Sequence, residues 1–129
     1  MRAIDTNVVV RYLLRDDHEQ ADIAEQIVQK DCYLSLTVLL ECVWLLSSRY
    51  ALPRASIAAA LIELVSLSSI STVDDDLVLW AIGRFQLGAD FADMAHLLDG
   101  RFADQFSTFD RGVAKAAGKG APMTIETLI

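Results

Sequence analysis

The 129-residue chain lacks several features that mark particular classes of protein. It contains only two cysteines, Cys32 and Cys42, which form no C-x-x-C motif and have no disulfide-rich context. No apolar run approaches the roughly 20 residues of a membrane span, and residues 1–5 lack the long hydrophobic region of a signal peptide. We therefore expect buried free thiols without a redox role, in a soluble, cytoplasmic protein with no membrane partner.

Positive charge is also scarce, because 11 Lys and Arg residues stand against 18 Asp and Glu, for a formal net charge of −7. This balance argues against a broad phosphate-neutralising surface for nucleic acid. Two interpretations remain: nucleic acid is irrelevant to the protein, or the acids cluster around divalent cations, which reverse the local charge and let a phosphate approach. Under both interpretations an acidic surface suits a basic protein partner.

Internal repeats, low-complexity tracts and interdomain linkers are absent as well, so we expect residues 1–129 to form one domain. Hydrophobic residues make up 53% of the chain, which is enough for a substantial core. Short strand-like segments alternate with longer helical ones. This alternation predicts a three-layer α/β domain with a small, largely parallel sheet between helices.

Capping and stop residues set the predicted helix bounds. The helices are expected just after Asp5, over 17–30, from 38 to about 49 or 50, from Pro53 to about 65, from 74–76 to a stop at Gly88, from Asp90 to about 102, and over 111–117. Strands are expected at 3–4, 32–35, 70–73 and 106–109, with a further edge strand at 122–125.

Five acids are the candidate functional residues. Asp5 and Asp110 each follow a predicted strand, and ligands of open α/β sheets gather at the carboxyl ends of strands. Either residue alone is better explained as a helix N-cap. Glu41 is the one charge in the apolar run 38–46, where a buried carboxylate must neutralise, find a partner or coordinate a metal; the alternative is a gap through which it reaches water.

Asp90, Asp93 and His96 recur at three-residue intervals and are neighbours on one side of a helix. Asp90 precedes the predicted helix and is also a good N-cap, whereas Asp93 lies one turn inside and is the better ligand candidate. For His96 a packed or hydrogen-bonded imidazole is the stronger interpretation. Carboxylates converging without a Cys/His set favour Mg²⁺ or Mn²⁺ over zinc, and such ions position a phosphodiester and activate water for its hydrolysis.

The order and spacing of these motifs resemble the PIN-domain ribonucleases, in particular the VapC-type toxins of prokaryotic toxin–antitoxin pairs. The resemblance rests on Ile4-Asp5-Thr6-Asn7, on Glu41, on the run from Ala89 to His96, and on Thr108-Phe109-Asp110-Arg111-Gly112. It implies a metal-dependent endoribonuclease that hydrolyses RNA phosphodiester bonds, a homodimer, and a small antitoxin whose basic tail blocks the acidic site.

Residue by residue, the resemblance implies that Asp5, Glu41, Asp93 and Asp110 are catalytic and hold Mg²⁺ or Mn²⁺. Auxiliary roles beside these acids fall to Asp90, Thr6, Asn7 and Thr108. Possible phosphate contacts, equally explained as ordinary surface charge, are Arg11, Arg15, Arg111 and Lys115.

Two other functions stay open at this point. A catalytically silent PIN-like module would use the same acids to bind the basic tail of a partner. A metal-dependent phosphatase is less well supported, because position 7 is Asn where a D-x-D motif after the first strand would have a second aspartate.

Overall fold

A computed structural model describes residues 1–129, which fold into two compact units, Met1–Asp75 and Asp76–Ile129. The sequence led us to expect one domain, and the two units are described separately below. None of the helices is of the length and apolarity that a membrane span requires.

The first unit alternates short parallel strands with helices. Its elements are β1 (Arg2–Ala3), α1 (Thr6–Leu14), α2 (His18–Val28), β2 (Cys32–Tyr33), α3 (Leu36–Ser48), α4 (Arg54–Val65) and β3 (Ile70–Ser71). The strand order is β1-β2-β3, with Arg2 opposite Cys32 and Cys32 opposite Ile70. Because parallel strands need crossover connections, a pair of helices separates each strand from the next.

Buried apolar stripes explain why the helices of the first unit form. In α3, Leu39, Cys42, Val43 and Leu46 are buried at the spacing of one helical face. Helix α1 contains the consecutive β-branched residues Val8, Val9 and Val10, which favour strands intrinsically. Burial of Val9 and Val10, together with the Asp5 cap, overrides that preference.

The second unit contains α5 (Asp75–Gln86, which begins at the boundary), α6 (Phe91–Asp99), β4 (Gln105–Thr108), α7 (Val113–Ala117) and β5 (Thr124–Thr127). Strands β4 and β5 pair in parallel, with Gln105 opposite Thr124. The core of this unit includes Ile82, Met94, Leu97 and Leu98, all fully buried.

The predicted mixture of parallel strands and helices is confirmed, but the strands form two parallel sheets where one was expected, and several element ends differ. Helix α6 stops at Asp99 with Gly100 as its C-cap, three residues before the predicted end at Phe102. Pro53 is the N-cap of α4 and does not lie within its first turn. Both cysteines are buried and free, as predicted.

Candidate active site

In the first unit, the side chains of Asp5 and Glu41 both accept hydrogen bonds from Thr6. Asp5 caps α1 by accepting a hydrogen bond from the Thr6 backbone N–H at 2.8 Å. The Thr6 side chain is the buried polar group of this unit, at 4% exposure, and its hydroxyl donates to the Glu41 Oε1. Thr6 therefore links the residue that follows β1 to the middle of α3.

Glu41 is an exposed residue, which corrects the prediction that it is buried in an apolar helix. The buried stripe of α3 runs through Leu39, Cys42, Val43 and Leu46, and Glu41 lies on the other side of the helix together with Trp44. Trp44 is 64% exposed, so the apolar run 38–46 does not describe a helix buried all round. The metal role predicted for Glu41 consequently loses the argument from burial and rests on the resemblance and on Thr6.

Cys42 lies next to this pair of acids. Burial, with smaller contributions from the negative charges of Glu41 and Asp5, raises the pKa of its thiol to about 12. A thiol that stays protonated at neutral pH is a poor nucleophile and a poor metal ligand. The donors of the first unit are therefore oxygen atoms.

In the second unit, three carboxylates lie around the start of α6. Asp90 is the N-cap of this helix and accepts a hydrogen bond from the Asp93 backbone N–H at 3.0 Å. Its role as a cap and its role as an acid of the site are therefore compatible. Partial burial, followed by the negative charges of Asp90 and Asp110, raises the pKa of Asp93. Like charges repel, so this arrangement favours either a proton on Asp93 or a cation beside it.

Asp110 lies in a tight turn directly after β4. Its backbone N–H donates to the Thr108 hydroxyl at 3.0 Å, and its Oδ1 accepts the Gly112 backbone N–H at 2.8 Å. A Cβ at position 112 would come within 3.2 Å of that same Oδ1. Thr108 and Gly112 therefore fix the direction of the Asp110 carboxylate.

The other predicted auxiliary residues are less constrained. Asn7 is exposed in the first turn of α1. His96 is exposed in the last turn of α6, where its one electrostatic effect on the acids is to lower the pKa of Asp93 against the larger raising effects. The prediction of a packed imidazole at His96 is therefore wrong.

The four predicted phosphate contacts divide into two kinds. Arg11 bonds both oxygens of Asp16 at 3.0 Å, and Arg15 pairs with Asp22 at 2.7 Å. In contrast, Arg111 and Lys115 are exposed and form no ion pair. Arg84 is a further candidate phosphate contact that the sequence did not indicate, because it is a single cation on an otherwise ordinary helix.

The chemistry of these residues fits a hard divalent cation. Their donors are carboxylate oxygens, and none of the five acids forms an ion pair with a lysine or arginine; they are Asp5, Glu41, Asp90, Asp93 and Asp110. No group of three or more His, Cys, Asp or Glu side chains, however, has the arrangement of a metal centre. Donor type and missing ion pairs therefore support a metal, while a complete set of ligands is not in place.

One comparison with known proteins gives a match. The model of the PIN domain family matches residues 3–119, a range that includes all the candidate acids and spans both units. No curated protein matches the chain.

Proposed function

Because the chain belongs to the PIN domain family, whose members are generally nucleases that typically use divalent metals, we propose that it is a metal-dependent endoribonuclease. The reaction is hydrolysis of RNA phosphodiester bonds, and the catalytic acids are Asp5, Glu41, Asp93 and Asp110. The observation that carries the proposal is the place of the Asp93 carboxyl beside Asp90 and Asp110, neither of which forms an ion pair; partial burial, followed by the charges of these two carboxylates, raises the pKa of Asp93. Perturbed acids of this kind are typical of functional sites.

The same four acids would hold Mg²⁺ or Mn²⁺. When bound, such an ion supplies charge stabilisation to the phosphodiester and activates water. Neighbouring residues orient these acids in different ways. Thr6 orients the carboxylate of Glu41. The carboxylate of Asp110 is oriented by Thr108 and Gly112. Asp90 caps the first turn of α6, in which Asp93 lies.

We further propose that the protein is the toxin of a toxin–antitoxin pair and acts as a homodimer. Two features support protein partners. The net charge of −7 favours a partner with a basic tail, such as the antitoxin that the VapC resemblance implies. The exposed Trp44 on the outer face of α3 is typical of a residue at a protein interface.

A cleavage assay on RNA tests the proposed activity with a matched pair of glutamates. Glu41 and Glu63 are both exposed and both lie on helices of the first unit, but only Glu41 is bonded to Thr6. We expect Glu41→Gln to lower Mn²⁺-dependent cleavage by about tenfold or more, because one ligand is worth at least ~1.4 kcal/mol of transition-state stabilisation. Glu63→Gln should cleave at the wild-type rate.

Equal cleavage by the two glutamine variants would remove Glu41 from the site. Cleavage that persists at full rate in EDTA would remove the metal. Either result counts against the proposed chemistry.

A catalytically silent interaction module is the second candidate, and the incomplete ligand set favours it. Calorimetry separates the two functions. Tight binding of a basic peptide with no binding of Mn²⁺ would favour the silent module, and binding of Mn²⁺ by the partner-free protein would favour the nuclease.

A further inference from the structure

A cavity of about 290 Å³ in the second unit has basic residues in its lining. It is lined by Arg84 and Lys115 and by small residues, among them Gly88, Ala89, Gly112 and Ala116. In a chain of net charge −7, two cations in one cavity are a local exception. The cavity is therefore suited to an anion.

Arg84 is half-buried and has no carboxylate partner. Its Nε–H donates to the Ala116 carbonyl at 2.7 Å, and its Nη2 lies 3.4 Å from the Lys115 carbonyl. A guanidinium has five N–H donors, so these two bonds hold its plane and leave three donors for a ligand. Arg11 and Arg15 differ in this respect, because both are already paired with acids.

The cavity adjoins the acids of the second unit. Ala89 immediately precedes Asp90, and the Gly112 N–H bonds the Asp110 carboxylate at 2.8 Å. Acidic and basic groups therefore lie side by side within this unit. A nucleic acid strand presents phosphates in a row, so a strand with one phosphate at the acids places a neighbouring phosphate near the cations.

We propose that the cavity of Arg84 and Lys115 binds a backbone phosphate of RNA next to the bond that is cleaved. This inference rests on the proposed nuclease function and adds a binding site to it. Lys115 supplies a point charge, and Arg84 supplies a planar set of donors that matches phosphate geometry. Leu87, Gly88 and Ala89 also line the cavity and carry no negative charge that would repel a phosphate.

RNA binding tests the proposal separately from cleavage. All proteins carry Asp93→Asn, so that bound RNA stays intact, and the affinity for a labelled single-stranded RNA is measured by anisotropy over a range of salt concentrations with Mg²⁺ constant. Lys115→Gln should weaken binding about 3–10-fold and reduce the slope of log affinity against log salt by about 0.7, the value for one lost phosphate contact on a single strand.

Two further variants serve as controls. Lys30→Gln makes the same change in net charge at an exposed residue of the first unit and should leave affinity and slope unchanged. Arg84→Lys keeps the charge and loses the planar donors, so it should weaken binding with little change of slope. Because Arg84 also donates hydrogen bonds to two carbonyls, the thermal unfolding of the Arg84→Lys protein is measured as well. If that protein fails to fold, the conclusion rests on Lys115→Gln.

The outcomes separate the two proposals. Lys115→Gln binding like Lys30→Gln overturns the phosphate site even if the wild-type protein cleaves RNA. A loss of RNA affinity in Lys115→Gln, with no cleavage by the wild-type protein, supports the phosphate site and overturns the nuclease. Failure of the Asp93→Asn protein to bind RNA at any salt concentration also overturns the phosphate site.

Discussion

Asp93 lies in an environment that is unfavourable for a negative charge. Its pKa is raised first by partial burial and then by the charges of Asp90 and Asp110. In the folded protein it therefore holds its proton to higher pH than in the unfolded chain. Between those two pKa values the folded state binds more protons, so the free energy of unfolding falls as pH rises through this window.

The pKa of Asp93 can be measured by NMR of its carboxyl carbon in the metal-free protein. We expect a value above that of an ordinary aspartate, and a lower value in the Asp90→Asn variant, because one of the two repelling charges is gone. Asn is as good an N-cap as Asp, so α6 stays capped. An unchanged pKa in Asp90→Asn would contradict the repulsion on which the proposed site depends.

The sequence predicts which residues are candidates for a role better than it predicts what surrounds them. The sequence left open whether Asp5 and Asp90 are helix N-caps or acids of the candidate site. Both interpretations hold, because each residue is an N-cap and each lies beside another acid. For Glu41 the predicted burial is wrong. A run of apolar residues suggests burial, but only one face of α3 is buried, and the spacing of Leu39, Cys42, Val43 and Leu46 already places Glu41 off that face.

At the scale of elements, the end of α7 depends on a glycine. Gly118 has φ 70° and ψ −168°, a conformation that is essentially restricted to glycine. A Cβ there would also lie 2.9 Å from the Arg84 guanidinium. The turn after α7 and the position of Arg84 therefore depend on each other.

Two Gly→Ala substitutions should have opposite effects on stability. Gly118→Ala should destabilise the protein by about 1–3 kcal/mol, because of the backbone strain and the contact with Arg84. Gly83→Ala should stabilise it by roughly 0.5–1 kcal/mol, because Gly83 lies inside α5 with open space at its Cβ position. Urea denaturation measures both, and a Gly118→Ala variant as stable as the wild type would contradict the strain.

Element types were predictable because the caps are local. Asp5, Asp17, Ser35 and Asp90 each accept a hydrogen bond from the first turn of the helix that follows. Element ends were less predictable, because they depend on contacts from distant residues. Gly100 ends α6 where the sequence allowed it to continue, and Met123 lies 3.5 Å from the position of a Cβ at that glycine.

At the scale of the whole molecule, acids without ion pairs occur in both units. In the second unit, Asp110 is followed in sequence by Arg111 and Lys115, two cations that also form no ion pair. The sequence shows the overall acidic balance and indicates Lys115 as a possible phosphate contact, but it does not indicate that Arg84 lines the same cavity. That cavity requires α5 and α7 to meet, which depends on packing between residues about 30 positions apart.

RNA cleavage by two aspartate variants of α6 in the presence of Mn²⁺ tests the proposed metal-dependent site. Asp93 lies in the first turn beside two other carboxylates, and Asp99 is exposed at the opposite end of the same helix. We expect Asp93→Asn to lose about 100-fold or more in rate, because several kcal/mol of transition-state stabilisation depend on the metal, and Asp99→Asn to stay within about twofold of the wild type. An Asp93→Asn protein that cleaves as fast as Asp99→Asn would contradict the account.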